Sequence, residues 1–600
     1  MSSEKTVHDL LVDRTETLET EDIENLFIDE KTAYTNRLLD DQPYLLVGSR
    51  GVGKSMLLRY AELISEKNFS EKKIIAVYVT FENSLVMDRM KNIDESQFYQ
   101  PFRQWTFAKI IHATIIKCEK LGLTSKIDGM LEEIFGRVNL STMKNAMEHY
   151  VKILENTHIR NADELRSQAE SLLEQELGDN TKSVLDALDN PNSTKELFHK
   201  IIEDNQIERM VLLFDEAAHA LVPQQQKDFF SIFKSLRSKT ITCKAAVYPA
   251  VTHYGKDFDP AHDGTKITID RTENDKDYLD FFTNLLKRRI PEINPLWKKL
   301  TSDPEILDSL CYACSGNPRF LFHLVDIFDL STRTSVSNTS IHTTCRKFVH
   351  DDLWAFHDNN GDRSKSIAKS AELGHKFIVG SVIPALSSQN NNWREKSTPQ
   401  FSIFFTVASD IHSDIKPVLD MLSYSGVISF RTELKTGHDT TGHLYAVNIS
   451  LAIAESVIKS DKKTGSSFIT EIDLLSRERF TQFTSSSDSI ISMIDQLSAH
   501  TGLSCSKCER KLDADANFCP FCGTPVAKEQ SLYFELLKHK IDKLRFSERL
   551  KQRMRDHRDQ SFETVGDILS ATLSQVDDIY YIGTVRSRQI KGAADEYVGS

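Results

Sequence analysis

PYLLVGSRGVGKSMLLRY, residues 43–60, decides how this chain is read. The apolar run from Tyr44 to Val47 has the length of a buried strand, and the apolar residues after Ser55 recur at helical spacing. The segment therefore reads strand, loop, helix. The loop itself, Gly48, Ser49, Arg50, Gly51, Val52, Gly53, Lys54 and Ser55 with Met56 behind it, fits the pattern GxxxxGK[ST]. Glycines at those spacings let backbone N–H groups turn inward around phosphates, and the following helix aims its positive end at them. In that frame Lys54 reaches the β- and γ-phosphates and the Ser55 hydroxyl is a ligand for Mg²⁺. The expectation is a nucleoside triphosphate site.

Such a loop needs a carboxylate on the metal side. ERMVLLFDEAAHA, from Glu208, supplies one at the end of a continuous apolar run, as a strand buried on both faces would. Asp215 is the candidate Mg²⁺ ligand, and Glu216 stands where a base would orient or deprotonate attacking water. A second strand is expected within Lys72 to Asn83, and a long, charged, helix-periodic insertion over about 97–205. Beyond Glu216 come an amphipathic helix, Gln224 to Lys239, and another strand, TCKAAVYPAVTHYG. Thr252 or His253 at its end is either a γ-phosphate sensor or a solvated turn residue.

In this order, strand, GSRGVGKS, strand, VLLFDE, strand, and then a helical lid opening with CSGNPRFLFHLVDIF, the chain resembles AAA+ ATPases of the origin-recognition (ORC) initiator-like group. The STAND signalling ATPases are similar to that group. The resemblance covers about residues 30–335 and implies ATP as the nucleotide and ATP hydrolysis as the activity. It also implies that Arg319, in Gly316-Asn317-Pro318-Arg319, reads the γ-phosphate from the lid. An arginine finger from a neighbouring subunit, with Arg237 or Arg271 as candidates, would make the protein a homo-oligomer.

Composition limits the partners. The chain has 600 residues, 40% hydrophobic and 27% charged, with 74 Lys and Arg against 87 Asp and Glu. That is several globular domains rather than a disordered chain, and a net charge of −13 confines any nucleic-acid contact to local patches. Neither a long apolar span nor a signal sequence is evident, so a cytoplasmic or nucleoid-associated protein without membrane contact is expected. Cys118, Cys243, Cys311, Cys314 and Cys345 read as reduced thiols, and the CxxC at 311–314 as core packing on a helix.

The remaining cysteines form CSKCERKLDADANFCPFCGTP. Cys505, Cys508, Cys519 and Cys522 make two knuckles ten residues apart, the pattern of a closed four-thiolate, structural Zn²⁺ site, and the segment resembles a zinc ribbon. Upstream, the text from Phe401 reads as two helices, a stop at Gly426 and a hairpin ending in HLYAVNIS, the pattern of a winged helix such as ORC-like initiators carry after the lid. Its candidate recognition helix, Ser413 to Ser425, has Asp414 and Asp420 against Lys416. The wing offers Arg431, Lys435, His438 and His443, for DNA contact or for packing. Downstream, Lys538 to Arg558 holds nine Lys and Arg against three Asp and Glu. The text to Val598 then resembles a helix-hairpin-helix domain, similar to the C-terminal domain of the RNA polymerase α subunit. There Gly583, with Arg586 and Arg588 beside it, would meet a DNA phosphate.

The expected architecture is thus multidomain. An acidic segment (1–30) precedes an α/β P-loop AAA+ core with helical insertion (31–300), a helical lid (301–335) and a helical segment plus winged helix (336–470). A linker (471–504), a zinc ribbon (505–526) and a small all-α domain (530–600) follow. Two functional readings stay open. One is an ATP-driven switch that engages nucleic acid through its C-terminal modules, in replication, mobile-element or anti-phage settings. The other is a STAND-like signalling ATPase whose modules bind protein partners.

Overall fold

The computed structural model describes residues 18–29, 33–81, 95–124, 127–156, 162–217, 223–249, 251–331, 338–361, 365–436, 439–460, 467–500, 503–504, 511–512, 532–544, 546–557, 561–579 and 582–599, with residues 11 and 87. Its first sheet has five parallel strands: β1 (Tyr44–Val47), β2 (Ile74–Thr80), β3 (Arg209–Asp215), β4 (Ile241–Val247) and β5 (Thr265–Thr268), in the order β2-β3-β4-β1-β5. β3 is an interior strand and apolar on both faces, with Met210 to Phe214 all at 0% exposure. Each such side chain taken from water contributes about 1.5–3 kcal/mol. The β1 strand lies beside β4, so the loops leaving β1, β3 and β4 converge at the carboxyl edge of the sheet, where open parallel sheets bind ligands.

Between β2 and β3 the helices Glu95–Lys120, Ile127–Phe135, Leu140–Leu154, Ala162–Leu177, Thr181–Leu188 and Pro191–Asp204 share one apolar core with the sheet. The expected insertion is therefore packed into the body. After β5, the helices Tyr278–Arg289, Pro304–Ala313 and Pro318–Ser331 build the lid. The polar text beyond it is more helical than its composition suggests. Asn338–Phe348 runs through a π-turn at Val349–Trp354 into Ala355–Gly361, and Lys365–Phe377 through Ile378–Val382 into Ile383–Arg394.

Next comes a four-stranded sheet: β6 (Phe404–Ala408), β7 (Ile428–Thr436), β8 (Asp439–Val447) and β9 (Phe480–Phe483), in the order β7-β8-β6-β9. Here the reading of two helices from Phe401 is corrected. FFTVA forms β6, and one helix, Ser409–Tyr424, leads to the β7–β8 hairpin. That helix packs its C-terminal end on the first body, where Met421 and Tyr424 share a cluster with Tyr248, Val251 and Ala371. The sheet and the lid form one continuous core. Gly426 abuts Phe320, Ile449 N donates to Ser315 Oγ (2.7 Å), and Ser450 Oγ donates to the Ala313 carbonyl (2.7 Å).

The five scattered cysteines are free thiols, all buried; Cys314 Sγ donates to the Cys311 carbonyl at 3.0 Å. Cys505, Cys508, Cys519 and Cys522 lie outside the described residues, as does His438. Beside the first knuckle, β10 (Leu503–Ser504) and β11 (Lys511–Leu512) pair antiparallel. The C-terminal helices Val565–Ser570, Leu573–Asp577 and Thr584–Gly599 enclose their own small core. Among the described residues, no helix is long and apolar enough to cross a membrane.

Candidate nucleotide site

The loop Gly48–Gly53 joins β1 to the helix Lys54–Lys67. A cavity of about 1050 Å³, partly open to solvent, is lined by Arg50 to Leu57 together with Glu216, Tyr248, Arg271 and Arg319. Lys54 is 4% exposed, and its ammonium donates to the carbonyls of Gly48 (2.7 Å) and Ser49 (2.9 Å). It also sits 3.7 Å above the Tyr248 ring. Burial pulls its pKa down to about 7, against the opposing pull of Asp270, Asp215 and Glu216. An ammonium held this close to neutrality gains strongly from a phosphate partner.

Asp215 ends β3 and is fully buried. Its Oδ2 accepts from the Tyr78 hydroxyl (2.8 Å) on β2, and its Oδ1 from the Glu216 amide (3.0 Å). The second bond holds Glu216 in the left-handed region at φ 60°, uncommon for a residue with a side chain and costing on the order of 1 kcal/mol. Glu216 lines the cavity with Ser55, while Asp215 lies beneath its floor. One hydroxyl and one carboxylate are the hard oxygen donors that suit Mg²⁺, which commonly takes its other ligands from water and substrate phosphates.

The lid is docked on the loop at its first helical residues. Asn317 Nδ2 donates to the Arg50 carbonyl (2.6 Å), Arg319 N approaches the Gly51 carbonyl (3.4 Å), and Asn317 Oδ1 accepts from Arg319 N (3.0 Å). The approach leaves no room at Gly51, φ 87°, where a Cβ would stand 2.7 Å from both Arg319 Cβ and Asn317 Oδ1. Gly316, φ 86°, is tighter still: a Cβ there would meet the Arg271 carbonyl at 2.1 Å. Arg319 thus lines the cavity.

The segment after β5 touches three parts at once. Asp270 Oδ1 accepts from Ser49 N (3.2 Å), Arg271 lies 3.5 Å over Phe281 in the cavity wall, and Glu273 pairs with Arg431 of β7 at 2.6 Å. Both side chains of that pair are at most 4% exposed, so Arg431 is withdrawn from any wing surface. His443 stacks on His412 at 3.6 Å, and Lys435 lies 3.6 Å from Glu433.

Other expectations move. Arg271 lies in the chain's own cavity, and Arg237 is engaged by Asp263. The Thr252 hydroxyl closes a turn on Tyr248, accepting from its amide (3.1 Å) and donating to its carbonyl (2.9 Å), and the His253 amide donates to Gln226. Tyr248 holds the strand-end position facing Lys54. Residues 18–29, read from sequence as an acidic lead-in, supply a cavity wall through Leu26 to Asp29. Arg59 and Arg288 anchor that wall by bonds to the carbonyls of Leu18 and Asn25.

The strand order, the loop and the lid contact build a P-loop α/β fold with a cavity at the loop. Residues 10–305 match the ORC-CDC6-like family model and residues 504–526 the zinc-ribbon domain, so the chain carries an ORC-CDC6-like domain with a zinc ribbon near its C-terminus. Among solved structures, it is similar at 11% identity to Cdc6p from Pyrobaculum aerophilum (76% of this chain, 99% of that one, TM-score 0.26). A second is the Aeropyrum pernix ORC2 protein in ADPNP–ADP complexes (11%, 74% and 93%, TM-score 0.27). No curated protein matches the sequence.

Proposed function

We propose that the chain is an ATP-hydrolysing switch of the initiator-like kind, whose nucleotide state is passed from the P-loop to the modules behind the lid. The observation that carries this is a contact chain: Lys54 over Tyr248, and Tyr248 edge-on to Tyr424 (centroids 6.0 Å, 74°) on the helix Ser409–Tyr424. In the bound state the loop amides and Lys54 hold the β- and γ-phosphates, Ser55 and Asp215 would hold Mg²⁺, and Glu216 accepts the proton of the attacking water. Mg²⁺, when bound, neutralises charge on the phosphate oxygens. Arg319 draws the lid onto the γ-phosphate.

The downstream sheet supports a winged-helix reading of altered use. With its helix packed on Tyr248 and Arg431 paired inside, this module serves as a relay rather than a groove reader. Nucleic-acid contact then falls to the ribbon and to the C-terminal helices, where Arg586 and Arg588 are exposed beside Gly583. The same burial favours, as a second reading, a STAND-like switch whose modules bind protein. The test is phosphate release from ATP with and without duplex or single-stranded DNA, Lys54→Ala serving as blank. The initiator-like reading expects stimulation by DNA, and salt-dependent binding weakened by Arg586→Ala with Arg588→Ala. Turnover indifferent to DNA moves the account to the second reading.

A further inference from the structure

Both carboxylate oxygens of Asp29 are shielded from solvent and accept no hydrogen bond among the described residues, although the residue lines the nucleotide cavity. A buried, unpaired carboxylate is costly, so a site that keeps one is built to receive a donor. Its neighbours fix what kind. Ile28, Tyr34, Ile269, Phe281 and Leu285 line the same cavity with apolar and aromatic surface suited to a flat ring. Asp29 lies near Tyr60, which stands six residues beyond Lys54 on the same helix, about 9 Å along its axis. Tyr60 in turn packs against Phe27 (4.6 Å), and Arg288 fixes the carbonyl of Phe27, so the segment bearing Asp29 is held in place.

We propose that Asp29 is the base-reading residue of the site: its carboxylate accepts a hydrogen bond from the exocyclic amino group of a purine, the N6 amino group of adenine. An ionised carboxylate only accepts, so it favours a base edge that carries a donor and repels one that does not. This rests on the reading of the cavity as a nucleotide site.

The experiment compares the affinities of ATP, GTP and purine riboside triphosphate, which lacks the amino group, for the full-length wild-type protein and for Asp29→Ala. Lys54→Ala is carried alongside. Wild type is expected to bind ATP on the order of tenfold to a hundredfold more tightly than purine riboside triphosphate, and Asp29→Ala to bind the two alike. Equal affinity of wild type for ATP and purine riboside triphosphate overturns the role of Asp29 and needs no variant to fold. Preference for GTP that vanishes in Asp29→Ala upholds Asp29 as base reader and overturns ATP as the nucleotide. Weak binding of all three, unchanged in Lys54→Ala, overturns the nucleotide reading itself.

Discussion

Asn317 donates its side-chain amide to the backbone carbonyl of Arg50 at 2.6 Å, across 267 residues of sequence, and so ties the first turn of a lid helix to the phosphate-binding loop. With Asn317 3% exposed, this bond is protected from water and sets the register in which Arg319 enters the cavity. The lid and the loop are therefore joined by a buried hydrogen bond.

The glycines at this contact are the sharpest test of it. Gly316→Ala adds a Cβ 2.1 Å from the Arg271 carbonyl at φ 86°, and Gly51→Ala one 2.7 Å from Asn317 and Arg319 at φ 87°. Each is expected to lower stability by at least ~1–3 kcal/mol and to weaken ATP binding, Gly316→Ala more. Paired thermal melts and nucleotide titrations check this; unchanged melts for both would mean that the lid does not sit on the loop.

Part of this site was legible in sequence because its chemistry is local. The loop Gly48–Ser55 and the pair Asp215, Glu216 are contiguous patterns, and backbone amides around a phosphate leave a fixed spacing. Tyr248 and Asp270 are placed by the strand order, which brings β4 and β5 beside β1, and no local pattern marks them; Asn317 stood in the quoted lid segment, but its bond to the loop 267 residues away did not show there. Tyr248 was within reach, since an aromatic at a strand's carboxyl end is near the ligand once that order is known. FFTVA was misread because a five-residue apolar run is ambiguous between strand and helix, with its aromatic and β-branched residues favouring strand. Arg431 stayed open between DNA contact and packing because its partner Glu273 is 158 residues away.

Nucleotide affinity should depend on pH through Lys54. Its folded-state pKa is lowered to about 7 by burial, below the ~10.4 of an unfolded chain. Below pH 7 the ammonium is charged in both states and its burial opposes folding in full. Between about 7 and 10.4 the unfolded chain holds the extra proton, so this group's contribution to stability rises with pH. Phosphate binding needs the charged form, so ATP affinity should fall by up to about tenfold per pH unit above 7, with proton uptake on binding. Calorimetry in buffers of different ionisation enthalpy measures that uptake; none at pH 8 would contradict it.

The buried pair Glu273–Arg431 should behave as a structural link between the ATPase body and the downstream sheet. Arg431→Met alone leaves a carboxylate buried and is expected to cost about 3–5 kcal/mol, with much of it recovered in the double variant with Glu273→Gln. Denaturant titrations of the four-member cycle report the coupling. Additive losses would place the two side chains in solvent.

The zinc ribbon predicts one Zn²⁺ per chain, lost in Cys505→Ser with Cys508→Ser. As a closed four-thiolate site holds a structural ion, basal phosphate release in that variant should stay within about twofold of wild type. Metal analysis and turnover on the same preparations check both; retained zinc would refute the ligand assignment.

Hydrolysis at Glu216 is the central claim, and one measurement addresses it: phosphate release from ATP and Mg²⁺ by Glu216→Gln beside its ATP affinity. The account predicts affinity near that of wild type and release reduced at least about a hundredfold. Release at the wild-type rate with ATP still bound would show that the chemistry lies elsewhere.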